Sequence, residues 1–398
     1  MKATCFWMLT AILVVQGNQA ADFNVKKYGA KADGKSDDSK AIENAWKDAC
    51  KSTNVMSNVV IPKGSYMVGP MKFQGPCIAR QITIQADQVK FVAPSDPSKF
   101  KSQNAWVVFQ NINGLNLIGA SFDGQGEIAW SINDCAKTGK CNSLPINLSF
   151  NKITNSVIRG ITSLDSKLFH MNVLNCKNVT FQHTTIRAPD ESLNTDGIHI
   201  GRSNGVNITD ADIKTGDDCV SLGDGSQQVN IEKVTCGPGH GIAIGSLGKY
   251  NKEEPVIGIR VKNCTISNTM NGVRIKTWPA SPSAGIARDL HFDNIVMNNV
   301  STPILIDQKY CPYNQCKAEI PSRVKISNVS FKNIRGTSAN KVAVKLACSE
   351  GNPCQGVELS NINLAYTGNN GTATSECANV KPKLIGHLFP PACQLSST

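Results

Sequence analysis

Residues 206–213 read VNITDADI, with apolar side chains at the first, third, sixth and eighth positions. Apolar and polar residues alternate in each half, which predicts two short strands joined by a tight bend. The same apolar frame recurs with starts at Leu115, Ser156 (a weaker copy), Val179, Val229, Ile259, Leu290, Val324 and Val357. One structural unit is therefore repeated along the chain.

The spacing of this repeat decides the fold class. After Ser156, successive copies begin about 23 to 34 residues apart, a period typical of solenoids. Leucine-rich repeats have similar periods, but their Leu/Asn signature is absent, and helical repeats would need a 3.6-residue periodicity. The sequence therefore predicts an all-β, right-handed, single-stranded parallel β-helix over residues 21–398.

The fifth position of the frame is asparagine in four copies, at Asn263, Asn294, Asn328 and Asn361. Asparagine tolerates left-handed backbone angles and therefore suits a tight bend. Stacked turns would align these amides in a ladder, as side chains align in other stacked parallel strands. We expect all four in one column, with Asn263 and Asn328 internal.

Residues 22–50 differ in character from the repeats. Ile42, Ala45, Trp46 and Ala49 would share one face of a short amphipathic helix capped by residues 36–38. Solenoids need such caps because the apolar interior is open at the ends. We expect a short N-terminal capping helix.

Residues 1–20 read as a secretory signal peptide, with a cationic Lys2, a ten-residue apolar core from Phe6 to Val15, and small residues up to Ala20. No later stretch is apolar enough to cross a membrane. The mature protein is expected to be secreted into the extracellular space and cell wall, without membrane association.

Cysteine usage agrees with export. Of the 15 cysteines, Cys5 lies in the predicted signal peptide, and an even number remains. Cys176 and Cys264 are predicted to be buried thiols, and without a C-x-x-C pair no metal site is expected. Five candidate pairs are close in sequence, Cys135/Cys141, Cys219/Cys236, Cys311/Cys316, Cys348/Cys354 and Cys377/Cys393, and Cys50 and Cys77 could form one more, while the sequence alone leaves the connectivity open.

The formal net charge of +11 favours a polyanionic partner. Nucleic acid is disfavoured because the lysines are scattered and no basic helix or aromatic-basic motif occurs. An acidic polysaccharide fits an exported protein better, although charge alone leaves a solvated basic surface open.

A polar cluster precedes four of the frames. Segments 195–201, 217–223 and 239–245 align without gaps, and 271–276 joins them from Gly272 onward. Because neighbouring turns of a parallel sheet stack about 4.8 Å apart, equivalent positions should form columns. One column holds Asp196, Asp218 and His240, with Asp217 beside it, and Arg274 and Lys276 point outward on the next turn.

This set of side chains has a specific chemistry. Crowded carboxylates repel one another, so at least one should have a raised pKa and supply an acid beside carboxylate bases, as glycoside hydrolysis requires. Arg274 and Lys276 would pair with a substrate carboxylate. Each residue alone is more often structural, and only the alignment favours a site. Calcium is a rival, but His240 and the cations argue against a hard-cation cage.

At these residues the chain resembles the polygalacturonases of glycoside hydrolase family 28. All four signature motifs occur in order: residues 194–196 (NTD), 216–218 (GDD), 239–241 (GHG) and 274–276 (RIK). The resemblance implies inverting hydrolysis without a cofactor. Asp217 would be the general acid, Asp196 and Asp218 would activate water, and His240 would support the acid. Arg274, Lys276 and, more loosely, Tyr310 would bind galacturonate.

Within that family the chain is most similar to plant exopolygalacturonases, including the pollen group, so the resemblance implies release of galacturonate from the non-reducing end. Endo action remains an alternative. So do a calcium-dependent pectate lyase, a non-catalytic pectin-binding β-helix, and hydrolases of rhamnogalacturonan or xylogalacturonan. We expect a monomer, with any N-glycans at Asn147, Asn299 or Asn370.

Overall fold

Alternating apolar residues in this chain form strands that pair in parallel with the strand one turn later. The third frame position illustrates the register, because Phe181 pairs with Ile208, Ile208 with Ile231, and Ile231 with Val261. A computed structural model describes residues 20–100, 103–134, 138, 144–314 and 316–393. Over these residues it is the predicted right-handed parallel β-helix.

The strands form two sheet systems along the solenoid. The first comprises β1 Ala21–Asn24, β2 Asp33–Asp37, β3 Met56–Val60, β4 Gly64–Met67, β6 Gln81–Val92, β8 Leu115–Asp123, β10 Thr154–Arg159, β11 Thr162–Leu164, β13 Lys177–Gln182, β14 Thr185–Arg187, β16 Asn204–Thr209, β17 Asp212–Lys214, β19 Gln227–Glu232, β20 Thr235–Cys236, β22 Val256–Lys262, β23 Thr265–Ser267, β25 Gly285–Val300, β27 Val324–Ser338, β29 Gln355–Tyr366 and β31 Lys383–Phe389.

The second system is a single face of the helix, and it carries the polar cluster. It comprises β5 Met71–Gln74, β7 Ala105–Gln110, β9 Ile146–Asn151, β12 Met171–Leu174, β15 Ile198–Gly201, β18 Val220–Leu222, β21 Ile242–Leu247, β24 Asn271–Thr277, β26 Thr302–Asp307, β28 Val342–Ala347 and β30 Thr374–Ala378.

The interior of the solenoid is apolar, and like residues stack along its axis. Phe73 stacks on Phe109 with ring centroids 4.8 Å apart, and Phe109 stacks on Phe150 at 5.1 Å. These separations match the spacing of neighbouring strands in a sheet. The repeated turn thus sets both the backbone pairing and the packing of the core.

The N-terminal helix is confirmed as α1, Ser39–Lys51, with Ile42, Ala45, Trp46 and Ala49 buried against the solenoid. Of residues 36–38, Asp37 accepts a hydrogen bond from the backbone N–H of Ser39, the first residue of the helix, at 2.9 Å. Asp38 makes no cap bond, and its carboxylate accepts from the backbone N–H groups of residues 31 and 32, at 2.7 and 2.9 Å. Besides α1, the helices described are α2 Glu127–Ser131 and 3₁₀ turns at Val25–Tyr28, Pro97–Phe100 and Pro312–Asn314.

The asparagine ladder exists, but its predicted register is wrong in one turn. Asn294 donates to Asn263 at 2.8 Å, and Asn361 donates to Asn333, not Asn328, at 3.2 Å. Val329 pairs with Leu290 in the sheet, so this frame starts five residues later than predicted. Residues 324–331 match the apolar pattern at all four positions, whereas the frame found in the structure, residues 329–336, shares Val329 and Phe331 with them and ends on Gly336. The sequence pattern therefore favoured the wrong frame.

Asn328 occupies a different bend, where its amide donates to Asp289 at 3.1 Å. Both Asn263 and Asn328 are exposed, contrary to the expectation that they are internal. The bend residues Asn263, Asn294, Asn333 and Asn361 all have φ between 50° and 57°, the left-handed region that asparagine tolerates.

Five predicted disulfides are formed: Cys50–Cys77, Cys219–Cys236, Cys311–Cys316, Cys348–Cys354 and Cys377–Cys393. The sixth, Cys135–Cys141, lies outside the described residues. Cys176 and Cys264 are buried free thiols, and burial raises the pKa of each to about 11.

Among the candidate glycan acceptors, Asn299 and Asn370 are exposed. Asn147 is only 2% exposed, and its amide donates to Ser163 and to the carbonyl of Leu164, both at 3.1 Å. This burial argues against glycosylation of Asn147. Within the described part of the chain, no helix is long and apolar enough to span a membrane.

Candidate active site

Four successive strands of the second sheet system position the polar cluster. Strands β15, β18, β21 and β24 are paired in register through Ile198, Val220, Ile242 and Val273. Asp196, Asp218 and His240 each lie two residues before the strand of their own turn. The structure thus places all three at equivalent positions of consecutive turns, as the alignment predicted.

Asp217 faces His240 across neighbouring turns. The Nδ1 atom of His240 lies 2.9 Å from Oδ1 of Asp217, and the same oxygen accepts from the backbone N–H of Asp218 at 2.8 Å. The other carboxylate oxygen is 3.5 Å from the amide of Asn194. Both Asp217 and His240 remain partly exposed, so a ligand can reach this pair.

The glycines on either side of His240 are required by the backbone. Gly239 has φ of 138° and Gly241 has φ of 90°. A Cβ at Gly241 would lie 2.1 Å from the carbonyl oxygen of Asn271, which no side chain tolerates. These two glycines allow the close turn that presents His240.

Asp218 is held by two cations. Arg274 donates to Oδ1 at 2.9 Å and Lys276 donates to Oδ2 at 2.8 Å. All three side chains are at most 9% exposed. Both cations were expected to bind a substrate carboxylate. In the structure they neutralise a carboxylate of the protein, that of Asp218. A ligand carboxylate would share donors that are already preorganised at this position.

Tyr310 covers the two cations. Its ring centroid lies 5.9 Å from the guanidinium of Arg274 and 5.3 Å from the ammonium of Lys276. Trp278 packs edge-on against Tyr310, with centroids 5.6 Å apart. Burial raises the pKa of Tyr310, so it remains a neutral hydrogen-bonding phenol near neutral pH. Tyr310, which the resemblance predicted more loosely as a galacturonate-binding residue, therefore lies next to Arg274 and Lys276, the predicted carboxylate-binding pair.

Asp196 has a different environment, which its sequence motif did not predict. Its Oδ2 atom accepts a hydrogen bond from Ser221 at 2.8 Å, and Ser221 lies 2.8 Å from Nδ1 of His199. His199 and Ser221 are paired across strands β15 and β18. Both side chains point outward, between apolar residues that point inward. The alternation of polar and apolar residues in these two strands could therefore have identified them.

Protonation of the cluster is uneven. Burial raises the pKa of Asp196 well above its ordinary value, and the negative charges of Asp217 and Asp218 raise it further. Burial also opposes ionisation of Asp217, but the hydrogen bond and charge of His240, with Lys276, hold its pKa below the ordinary value. In the free protein, Asp196 is thus the carboxyl group that has the expected raised pKa.

His240 is the proton-bearing partner of Asp217. Burial lowers its pKa, but the hydrogen bond to Asp217 and the charges of Asp217 and Asp218 outweigh burial and raise it overall. By contrast, burial lowers the pKa of His199 to about 4, which keeps it neutral. Near pH 5 the cluster therefore contains an imidazolium–carboxylate pair, beside Asp196, whose ionised form is disfavoured.

The cluster is a poor cation site. Oxygen or nitrogen atoms of Asp217, Asp218 and His240 lie within 4.8 Å of one another. However, both oxygens of Asp218 already bind Arg274 and Lys276, and His240 is paired with Asp217. A divalent ion would have to displace these cations and lie beside their charges. The donor set suits acid–base chemistry on an anionic ligand better.

The sequence and the fold are both similar to known proteins. Residues 50–388 match the family model described as glycosyl hydrolases family 28. An exopolygalacturonase of Arabidopsis thaliana is 57% identical over 375 residues, covering 94% of this chain and 83% of the relative. An exopolygalacturonase of Platanus acerifolia is 54% identical over 369 residues, covering 92% of this chain and 96% of the relative.

Among solved structures, an endo-xylogalacturonan hydrolase from Aspergillus tubingensis superimposes with a TM-score of 0.78 at 23% identity. The match covers 92% of this chain and all of the other. At this identity the likeness supports the β-helix fold and leaves the substrate open.

Proposed function

The chain belongs to family 28 of the glycosyl hydrolases, and from this membership and the geometry of the cluster we propose that it hydrolyses the α-1,4 bonds of de-esterified polygalacturonate. The observation that carries the proposal is the buried contact of Asp218 with Arg274 and Lys276, beside the Asp217–His240 pair. This arrangement places acid–base groups beside cations that can bind the carboxylate of a uronate. No cofactor is needed.

Asp217 is the general acid in this proposal, and it must be protonated when the bond breaks. An incoming uronate adds negative charge and shares the cations Arg274 and Lys276, which favours the protonated form of Asp217. The 2.9 Å contact between Asp217 and Nδ1 of His240 gives the proton a direct route from the imidazolium. Asp217 then protonates the leaving glycosidic oxygen.

Asp196 and Asp218 position the attacking water in this proposal, and whichever is ionised accepts its proton. Because the raised pKa of Asp196 disfavours its ionised form in the free protein, the base role falls mainly on Asp218 unless the bound ligand changes this. Attack from the face opposite the leaving group inverts the anomeric carbon. Arg274, Lys276 and Tyr310 hold the uronate during the step.

The names of the relatives favour exo action, which releases galacturonate from the non-reducing end. The similarity to a xylogalacturonan hydrolase keeps a branched substrate as the second candidate. A comparison of polygalacturonate with xylogalacturonan as substrates decides this point.

We also propose that residues 1–20 are a secretion signal and that the enzyme acts in the cell wall. The five disulfides of the described residues support export, because disulfides persist in oxidising compartments. A monomer is proposed as well.

The test is the product profile of the purified protein on polygalacturonate with a calcium chelator present. Early release of monomeric galacturonate with little loss of viscosity is the expected result. A fast fall in viscosity with mixed oligomers would replace exo with endo action. A requirement for calcium and an unsaturated product would show a lyase, and binding without any product would show a pectin-binding protein.

A further inference from the structure

A cation without an acidic partner lies near the cluster. The ammonium of Lys249 is 5.0 Å from the ring centroid of Trp278 and 5.5 Å from that of Tyr250. Within the described residues no carboxylate lies within 4.0 Å of this ammonium, the distance that defines the ion pairs found elsewhere in the chain. Lys249 is exposed, and Tyr250 is 65% exposed.

The segment that carries Lys249 is held in place by one carboxylate. Glu253 accepts hydrogen bonds from the backbone N–H groups of Gly248, Lys249 and Tyr250, at 2.6, 2.9 and 2.8 Å. Three bonds to one charged acceptor fix the backbone of this short loop. Lys249 and Tyr250 are thus presented on a defined turn, which lowers the entropy lost on binding.

A row of aromatic and cationic side chains connects this loop to the cluster. The backbone N–H of Trp278 donates to the carbonyl of Leu247 at 2.8 Å, which joins the loop to the end of β24. Trp278 packs against Tyr310, and Tyr310 covers Arg274 and Lys276. Lys249 therefore lies at the outer end of a continuous row that begins at the two buried cations.

We propose that Lys249 and Tyr250 form an additional uronate-binding subsite, for a sugar further from the scissile bond than the one held by Arg274 and Lys276. Lys249 would pair with the carboxylate, and the exposed ring of Tyr250 would pack against the sugar. The inference rests on the proposed function, since only a polymer with a carboxylate on each residue places a second anion there.

The test measures binding of digalacturonate and tetragalacturonate to Asp217→Asn protein, in which the ligands stay intact. The second substitution is Lys249→Arg, Lys249→Ala or Lys249→Glu. The matched control is Lys47→Glu, at an exposed lysine of α1 at the N-terminal cap, which changes the net charge equally. Calorimetry gives the dissociation constants.

For tetragalacturonate, Lys249→Ala is expected to weaken binding about two- to fivefold and Lys249→Glu to weaken it more, while Lys249→Arg stays near the parent. Digalacturonate, which fills only the positions on either side of the scissile bond, should bind all variants equally. Unchanged tetragalacturonate binding by Lys249→Glu, or equal weakening for both ligands, overturns the subsite.

Failure of the hydrolase proposal gives a different result. If protein without any substitution binds both oligomers and cleaves neither, the hydrolase function is lost while the length-dependent effect of Lys249 still stands. If the protein without any substitution cleaves polygalacturonate but all Lys249 variants bind tetragalacturonate equally, the hydrolase function is supported and the additional subsite is excluded.

Discussion

Ser221 donates a hydrogen bond of 2.8 Å to the carboxylate of Asp196. Asp218 has two cations and Asp217 has His240, but among the described residues Asp196 has no cation within ion-pair distance. The three neighbouring carboxylates of the cluster therefore differ in what stabilises their charge. A hydroxyl supported by the neutral His199 is the weakest of these partners, which agrees with the raised pKa of Asp196.

Ser221→Ala should move the acidic limb of the pH–rate profile to higher pH. The Ser221 hydrogen bond favours the ionised form of Asp196, so its loss raises an already raised pKa. If ionised Asp196 helps to activate water, activity then needs a higher pH. The measurement is kcat/KM on polygalacturonate against pH.

The matched control for this prediction is Ser226→Ala. Ser226 is an equally buried serine whose hydroxyl donates to the carbonyl of Ile200 at 3.0 Å. It should leave the position of the limb unchanged. If Ser221→Ala leaves the limb in place as well, Asp196 does not need to be ionised for the reaction.

Asp217→Asn should abolish hydrolysis while substrate binding is kept. Removing a general acid costs about 100- to 10,000-fold in kcat, whereas the uronate-binding cations are untouched. Asp224→Asn, which removes a carboxylate paired with Arg202 at 3.1 Å on the surface, is the control and should keep full activity. Turnover by Asp217→Asn at the rate of the control would remove Asp217 from the acid role.

The sequence predicted the fold well because a β-helix is specified locally, turn by turn. Each frame needs only alternating apolar residues and a bend residue, and strand pairing follows from the repeat. The error at Val324 arose where two overlapping frames share Val329 and Phe331, and the pairing of Val329 with Leu290 decides between them. Such a choice depends on contacts between turns.

The site was only partly predictable because it also depends on contacts between turns. Alignment of equivalent positions placed Asp196, Asp218 and His240 on consecutive turns. It could not show that Lys276 binds Asp218 at 2.8 Å, because side-chain length and rotamer determine which atoms meet across turns. Nor could it assign the raised pKa to one carboxylate, since this depends on burial and on the cation nearest to each.

Lys276→Met should destabilise the protein by about 3 kcal/mol, because it leaves the 2%-exposed Asp218 with one of its two cations. Adding Asp218→Asn should recover part of this loss, since the uncompensated charge is then removed. The measurement is the free energy of unfolding in denaturant for both single variants and the double variant. Strictly additive changes would mean that the Lys276–Asp218 contact contributes no coupling energy.

The contribution of the Asp217–His240 pair to stability should depend on pH in a defined window. The raised pKa of His240 means that its contribution is complete below the ordinary value of 6.5 and is lost as pH rises through the raised value. The lowered pKa of Asp217 means that its contribution is present above the ordinary value of 3.8 and is lost as pH falls through the lowered value. The pair therefore stabilises the fold most between these two ordinary values.

His240→Asn tests this window through the difference in melting temperature from the wild type, measured from about pH 3 to pH 8. The difference should be largest between the two ordinary pKa values and should shrink on either side. The charges of Asp218 and Arg274 also act on His240, and that of Lys276 acts on Asp217. His183→Asn, at an exposed bend with φ of 51°, removes a histidine that has no carboxylate partner among the described residues and should give a flat profile. A flat profile for His240→Asn as well would show that the imidazole is neutral beside Asp217, and the proposed route for the proton would then be lost.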